Sequence, residues 1–81
     1  MTVTIEFIGN HRAVTNTDSI KVPITGKMTA NDVLDYLVQH YPGLALAGES
    51  VVITVNHSVV PGERLLKAND IVCFLPYIGG G

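Results

Sequence analysis

The sequence predicts a small α+β domain in which one main helix lies on one face of a mixed sheet of four to five strands. Three observations lead there. Apolar residues recur at every second position in three separate short runs, the signature of strands with one buried face. A single longer segment instead repeats its apolar residues at a helical period. The chain is 81 residues long and 47% hydrophobic, which is enough for one core and too little for a second.

Val3, Ile5 and Phe7 alternate with Thr2, Thr4 and Glu6, and this opens the chain as a strand. Residues 9–18, Gly-Asn-His-Arg-Ala-Val-Thr-Asn-Thr-Asp, are rich in turn formers and are expected to be a loop. Ile20, Val22 and Ile24 then alternate again, so the two strands should form an antiparallel hairpin. Pro23 lies on the outward side of the second strand and has no N–H for a ladder, which places that strand at a sheet edge.

Ala30, Val33, Leu34, Leu37, Val38 and Tyr41 fall at i, i+3, i+4, i+7, i+8 and i+11, one stripe of a helix. Thr29 is a suitable N-cap, and Asp32 stands where a capping box usually has Glu or Gln. Asp32 and Asp35 near the start, and His40 near the end, suit the helix dipole. Pro42-Gly43 ends the helix, and Leu44 and Leu46 belong to a compact connection of unassigned type. Val51, Ile53 and Val55 restore the alternation, Asn56-His57 makes a tight turn, and Val59-Val60 leads into Pro61-Gly62, expected as a type II turn. Leu65-Leu66 packs back before residues 67–70 turn the chain into the last strand, Ile71-Val72-Cys73-Phe74-Leu75. Residues 1–76 are thus expected to fold, with 77–81 as a flexible tail.

The formal charge is −2 and the five Lys and Arg residues are scattered, so the footprint that nucleic acid or anionic lipid requires is missing. No apolar run approaches the roughly 18 to 20 residues that span a bilayer, and the N-terminus lacks the charged start of a secretory signal. A cytoplasmic protein is expected. Cys73 has no disulfide partner, and His11, His40 and His57 lack metal-ligand spacing, so no metal is expected. Cys73 reads as a small, semi-buried hydrophobe in an apolar strand, and the three histidines as solvated side chains in a loop, a helix end and a turn. Asp32 and Asp35 read as a cap and a solvated first turn. Gly43, Gly48 and Gly62 form no phosphate-cradling pattern.

The tail Gly79-Gly80-Gly81 can bury no side chain, and ordering it is entropically costly. Its asset is slimness: backbone without Cβ carries a terminal carboxylate into a narrow channel. From the glycines alone, a frayed end, the common fate of chain termini, is the better explanation.

The order of elements, the Val55-Asn56 turn, the run Leu66-x-x-x-Asp70-x-Val72-x-Phe74-x-Pro76 and the terminal Gly80-Gly81 together resemble the ubiquitin-like β-grasp sulfur carriers, above all the small subunits of molybdopterin synthase. Leu75 and Tyr77 replace an aromatic residue and a proline usual in that group, and Gly79 replaces a small residue. The resemblance implies a β-grasp fold and a carrier without catalytic groups of its own. It further implies that an ATP-dependent, ubiquitin-activating-like adenylyltransferase converts the Gly81 carboxylate to an acyl-adenylate, and that sulfur from a persulfide donor then yields a thiocarboxylate. These are transient covalent states, and no bound cofactor is implied. The large subunit of molybdopterin synthase would receive the tail.

Strand alternation places Ile71, Cys73 and Leu75 on the face away from the helix. With the resemblance, Val59, Leu75, Pro76, Tyr77 and Ile78 become candidate partner contacts beside the tail. Alternative readings are a carrier for thiamin thiazole or another acceptor, a protein modifier joined to target lysines through Gly81, and an interaction domain with an inert tail.

Overall fold

The computed structural model describes residues 1–44 and 51–76. The first two period-two runs form β1 (Thr2–Glu6) and β2 (Ser19–Pro23), paired antiparallel with Val3 opposite Val22 and Ile5 opposite Ile20. The later runs form β3 (Val51–Val55), β4 (Ser58–Val60) and β5 (Ile71–Pro76). All five strands join one sheet in the order β2-β1-β5-β3-β4. Strand β5 is central, parallel to β1 and antiparallel to β3. Strand β2 is an edge strand, as its proline requires.

Residues 9–18 are not all loop. Asn10–Thr15 form a short helix, α1, between β1 and β2. Helix propensity does not explain it, since Asn, His, Val and Thr are indifferent formers. The tertiary context does: His11 and Thr15, four apart on one face, are both buried. The Thr15 hydroxyl donates to the His11 carbonyl at 3.1 Å, and Asn16, at φ 61°, closes the helix with its N–H on the Arg12 carbonyl.

The predicted main helix is α2 (Ala30–His40). Its capping box is complete: the Asp32 N–H donates to Thr29 Oγ1 and the Thr29 N–H donates to Asp32 Oδ2. The next two orphan donors are met from outside the helix, Ala30 N–H on the Arg64 carbonyl and Asn31 N–H on the Gly62 carbonyl, at 3.0 and 2.9 Å. Segment 61–66 is thereby fixed across the start of α2. A Cβ on Gly62 would collide with the Asn31 side-chain amide, so glycine is demanded there by close approach. Gly62 does not take the positive φ of a type II turn, and the turn runs from Pro61 to Arg64, one residue later than expected. Asn56 and His57, at φ 50° and 73°, join β3 to β4 with the twist that suits a two-residue hairpin. The helix ends at His40 with Tyr41 as its C-cap, and Pro42–Leu44 then form a single 3₁₀ turn that buries Leu44. Leu46 and Gly48 lie outside the described residues.

The core lies between α2 and one sheet face. Val3, Ile5, Val22, Ile53, Val55, Val72 and Phe74 point inward to meet Ala30, Val33 and Leu37. Phe7 meets Tyr41 edge-on, with ring centroids 6.0 Å apart, tying the end of the helix to the end of β1. Among the described residues no helix is long and apolar enough to cross a membrane.

Candidate functional site

The expected site is the root of the C-terminal tail, and β5 carries it. Val72 and Phe74 are buried on the helix side, whereas Ile71, Cys73 and Leu75 are half-buried on the other. Pro76 closes the strand. Tyr77, Ile78, Gly79, Gly80 and Gly81 lie outside the described residues.

The outer face divides by polarity along the strand order. Registered pairs set Val59 beside Thr54, Thr54 beside Cys73, and Val52 beside Leu75. On the other side of β5, Ile71 stands beside Thr4 and Cys73 beside Glu6, with Lys21 and Ser19 beyond. The half of the face over β3, β4 and β5 is therefore largely apolar, and the half over β1 and β2 is polar. Val59, 74% exposed, is the most open hydrophobic side chain of the sheet. Val59, which the resemblance singled out, and Leu75, which alternation put on the outer face, thus share one apolar surface. Val52 belongs to the same surface and was recoverable from the same alternation.

Cys73 behaves as its position dictates. Burial, the largest cause, pushes its thiol above the ordinary value; a hydrogen bond with Thr54 opposes it, and the Glu6 carboxylate adds to the rise. A thiol held protonated in an apolar strand is a poor nucleophile. Asp70, at the foot of β5, is buried. Burial alone would raise its carboxyl, but the Lys67 N–H, the Asn56 amide and the Arg64 guanidinium outweigh it and hold the group below the usual carboxylate range. Its oxygens accept from Lys67 N–H at 2.8 Å and Asn56 Nδ2 at 2.9 Å, while Asn56 Oδ1 accepts from Ile71 N–H at 3.0 Å. The β3–β4 turn is thereby locked to the first residue of β5.

His40 and His57 are exposed, as expected, but His11 is buried. The physical reason is α1, which turns His11 inward on the same face as Thr15. Among the described residues no group of three or more side chains converges as metal ligands. At the ends of β1 and β5 lies a cavity of about 570 Å³, bordered by Ile8, Asn10, His11, Val14, Leu44 and Leu75. No short-range pattern marks it, because it depends on α1.

The strand order with its central parallel pair and single covering helix is the ubiquitin-like β-grasp arrangement, and solved structures share it. The solution structure of small archaeal modifier protein 1 from Methanosarcina acetivorans is 26% identical, with 99% of this chain and 96% of that one covered and a TM-score of 0.75. A protein–protein complex of subunits 1 and 2 of the molybdopterin-converting factor from Helicobacter pylori contains a chain 21% identical, covered fully in both directions, with a TM-score of 0.65. In sequence, the molybdopterin synthase sulfur carrier subunit of Drosophila erecta is 30% identical over 98% of this chain and 90% of its own length. The pattern of the ThiS family matches residues 5–81. From the second buried residue of β1 through the terminal glycine, then, one family accounts for the sequence, and the chain belongs to the ThiS family.

Proposed function

We propose that this chain is the sulfur carrier for molybdopterin synthesis, with Gly81 as the residue that bears the sulfur. The observation that carries the reading is the 30% identity to a molybdopterin synthase sulfur carrier subunit across nearly the whole chain. The placement of β5 supports it. The central strand delivers its last residue, Pro76, five residues before the terminal carboxylate and beside the apolar half of the sheet.

The chemistry follows from the poor electrophilicity of a carboxylate. An adenylyltransferase of the ubiquitin-activating type joins the Gly81 carboxylate to AMP, releasing pyrophosphate from ATP. A persulfide sulfur attacks the acyl carbon and expels AMP, giving an acyl disulfide. A second thiol cleaves its S–S bond, leaving the thiocarboxylate on Gly81 and a disulfide on the donor. The thiocarboxylate is a nucleophile, and the large synthase subunit supplies the acid, base and anion-binding groups for its transfer. Gly79, Gly80 and Gly81 keep the arm narrow enough for that partner's channel. Val59 and Leu75, with Pro76, Tyr77 and Ile78, form the gripping surface.

A second reading, attachment of Gly81 to target lysines, is favoured by the likeness to an archaeal modifier protein. One experiment separates the two. The chain is incubated with ATP, a cognate activating enzyme and a persulfide source, and its intact mass is measured. Gain of one sulfur in place of one oxygen supports the carrier. Covalent adducts to other proteins without that gain support the modifier and overturn the proposal. Gly81→Leu should abolish the gain while leaving the melting temperature unchanged.

A further inference from the structure

The sheet ends in β2 on one side and β4 on the other, and the phase of each ladder decides which backbone groups those edges present. The Phe7 N–H donates to the Asp18 carbonyl, and the Ile24 N–H donates to the Met1 carbonyl. By alternation Ile20 and Val22 bond to β1, so Ser19, Lys21 and Pro23 turn their backbone groups outward. That edge is blocked three ways. Pro23 has no N–H to offer, the Thr17 hydroxyl already donates to the Ser19 carbonyl at 3.1 Å, and Lys21 sets an exposed charge between them.

Strand β4 carries none of these blocks. The Asn56 N–H donates to the Ile71 carbonyl, so alternate residues of β3, Val52 and Thr54, bond to β5, while Ile53 and Val55 bond to β4. Val59 is registered with Thr54 and therefore points both its N–H and its C=O away from the sheet. Outside the ladders, no described residue bonds to either group. Its side chain, 74% exposed, is continuous with the apolar half of the outer face. The outward positions on either side are closed. His57 belongs to the turn at φ 73°, and Pro61 lacks an N–H while its carbonyl accepts from the Arg64 N–H.

We propose that the large synthase subunit lays an extended segment along the β4 edge, accepting from the Val59 N–H, donating to the Val59 C=O, and setting an apolar side chain beside the Val59 methyls. The inference rests on the carrier reading and refines it. An apolar patch tolerates sliding, whereas a donor and an acceptor at one position do not. With a single residue paired, the contact sets the register of docking more than its strength, and loss of one of the two bonds should weaken binding about fivefold.

The test is amide hydrogen exchange by NMR on the full chain, alone and with the cognate large subunit, with calorimetry to show that the complex forms. The Val59 amide should exchange rapidly in the free chain and slow by about tenfold or more in the complex, with the Lys21 amide unchanged. Val59→Pro removes the outward N–H and leaves the β3 ladder intact, so it should bind about fivefold more weakly than Val59→Ala, which keeps the N–H. A complex in which the Val59 amide still exchanges freely, or in which Lys21 is protected in its place, overturns the proposal even if Val59→Pro fails to fold. Equal affinity of the two variants also overturns it. Protection of Val59 that grows with chain concentration in the absence of the subunit assigns the edge to a second copy and overturns it as well. No complex at all refutes the carrier reading, and the edge assignment falls with it, so the two failures have different signatures.

Discussion

Asp70→Asn tests whether the carboxylate at the foot of β5 locks the β3–β4 turn in place through its charge. The wild-type oxygens accept from the Lys67 N–H at 2.8 Å, Asn56 Nδ2 at 2.9 Å and Arg64 Nη1 at 3.4 Å. Asparagine keeps the shape and one acceptor, so the Lys67 contact survives, but its NH₂ group then faces a second donor. Loss of one charge-assisted hydrogen bond costs about 1.5 to 3 kcal/mol, and the Arg64 pair, long and one-third exposed on the arginine side (33%), adds little. A loss of about 2 kcal/mol follows, which in a domain of this size lowers the melting temperature by about 8 to 16 °C. The pH dependence identifies the charge as the cause. The folded-state carboxyl lies below its ordinary value, so its contribution is complete above the unfolded pKa of about 3.9 and is lost as pH falls through the lower folded value. Urea unfolding of both proteins should therefore show the full gap at pH 7, shrinking as the pH falls below about 4. A gap under about 0.5 kcal/mol at pH 7, or one that stays constant into acid, refutes the reasoning.

Three further outcomes are expected. Thr29→Ala removes the capping-box hydroxyl that accepts from Asp32 N–H and should cost about 1 kcal/mol in urea unfolding with an unchanged slope. Cys73, with its thiol pushed up by burial and by Glu6, should react with an aromatic disulfide at pH 8 far more slowly in the folded chain than in denaturant; equal rates would contradict its placement. Val59→Asp changes an open position of the short edge strand β4, so stability should move by less than about 1 kcal/mol. Binding to the large synthase subunit, measured by calorimetry, should weaken about fivefold or more if Val59 is an anchor.

The elements legible in the sequence were those whose burial pattern is written at short range. The stripe from Ala30 to Tyr41 and the Thr29–Asp32 box locate α2 almost to the residue, and Pro23 alone identifies an edge strand. Helix α1 escaped because four of its six residues, Asn10, His11, Val14 and Thr15, are indifferent helix formers, and because His11 is buried only by a surface that the rest of the fold creates. The one sequence mark it left was Asn16, a residue suited to the left-handed cap, standing one position after Thr15. Pairing between β1 and β5 was equally silent: two strands separated by the whole domain carry no local sign of which neighbour each will choose. The type II turn at Pro61-Gly62 failed for a related reason. Its glycine serves the approach to Asn31, a contact from another element, and not the backbone sign that Pro-Gly usually signals. For the site, alternation put Leu75 on the outer face and the resemblance supplied Val59, which the register sets on the same face, whereas the cavity beside Leu75 required α1 and stayed hidden.

On the proposed carrier reading, the position of β5 bears on how this 81-residue chain would present Gly81 to a partner. Were the tail to leave an edge strand, a pull on it would meet a single ladder of hydrogen bonds, and the strand end would fray. Strand β5 instead has β1 on one side and β3 on the other, with Val72 and Phe74 buried beneath and its first residue bonded to the Asn56 side chain. Local opening of such a strand requires both ladders and the core contacts to break together, so it belongs to the most stable part of the domain. The arm therefore starts from a fixed point, and the apolar half of the outer face lies beside that point. A partner that docks on Val52, Val59 and Leu75 also fixes where the arm begins, so docking alone limits the search of the terminal carboxylate to the length of five residues. Transfer of the same tail to the β2 or β4 edge, by circular permutation that leaves the sheet intact, should preserve folding and lower the rate of thiocarboxylate formation. An unchanged rate would show that length alone, and not the central anchor, sets delivery.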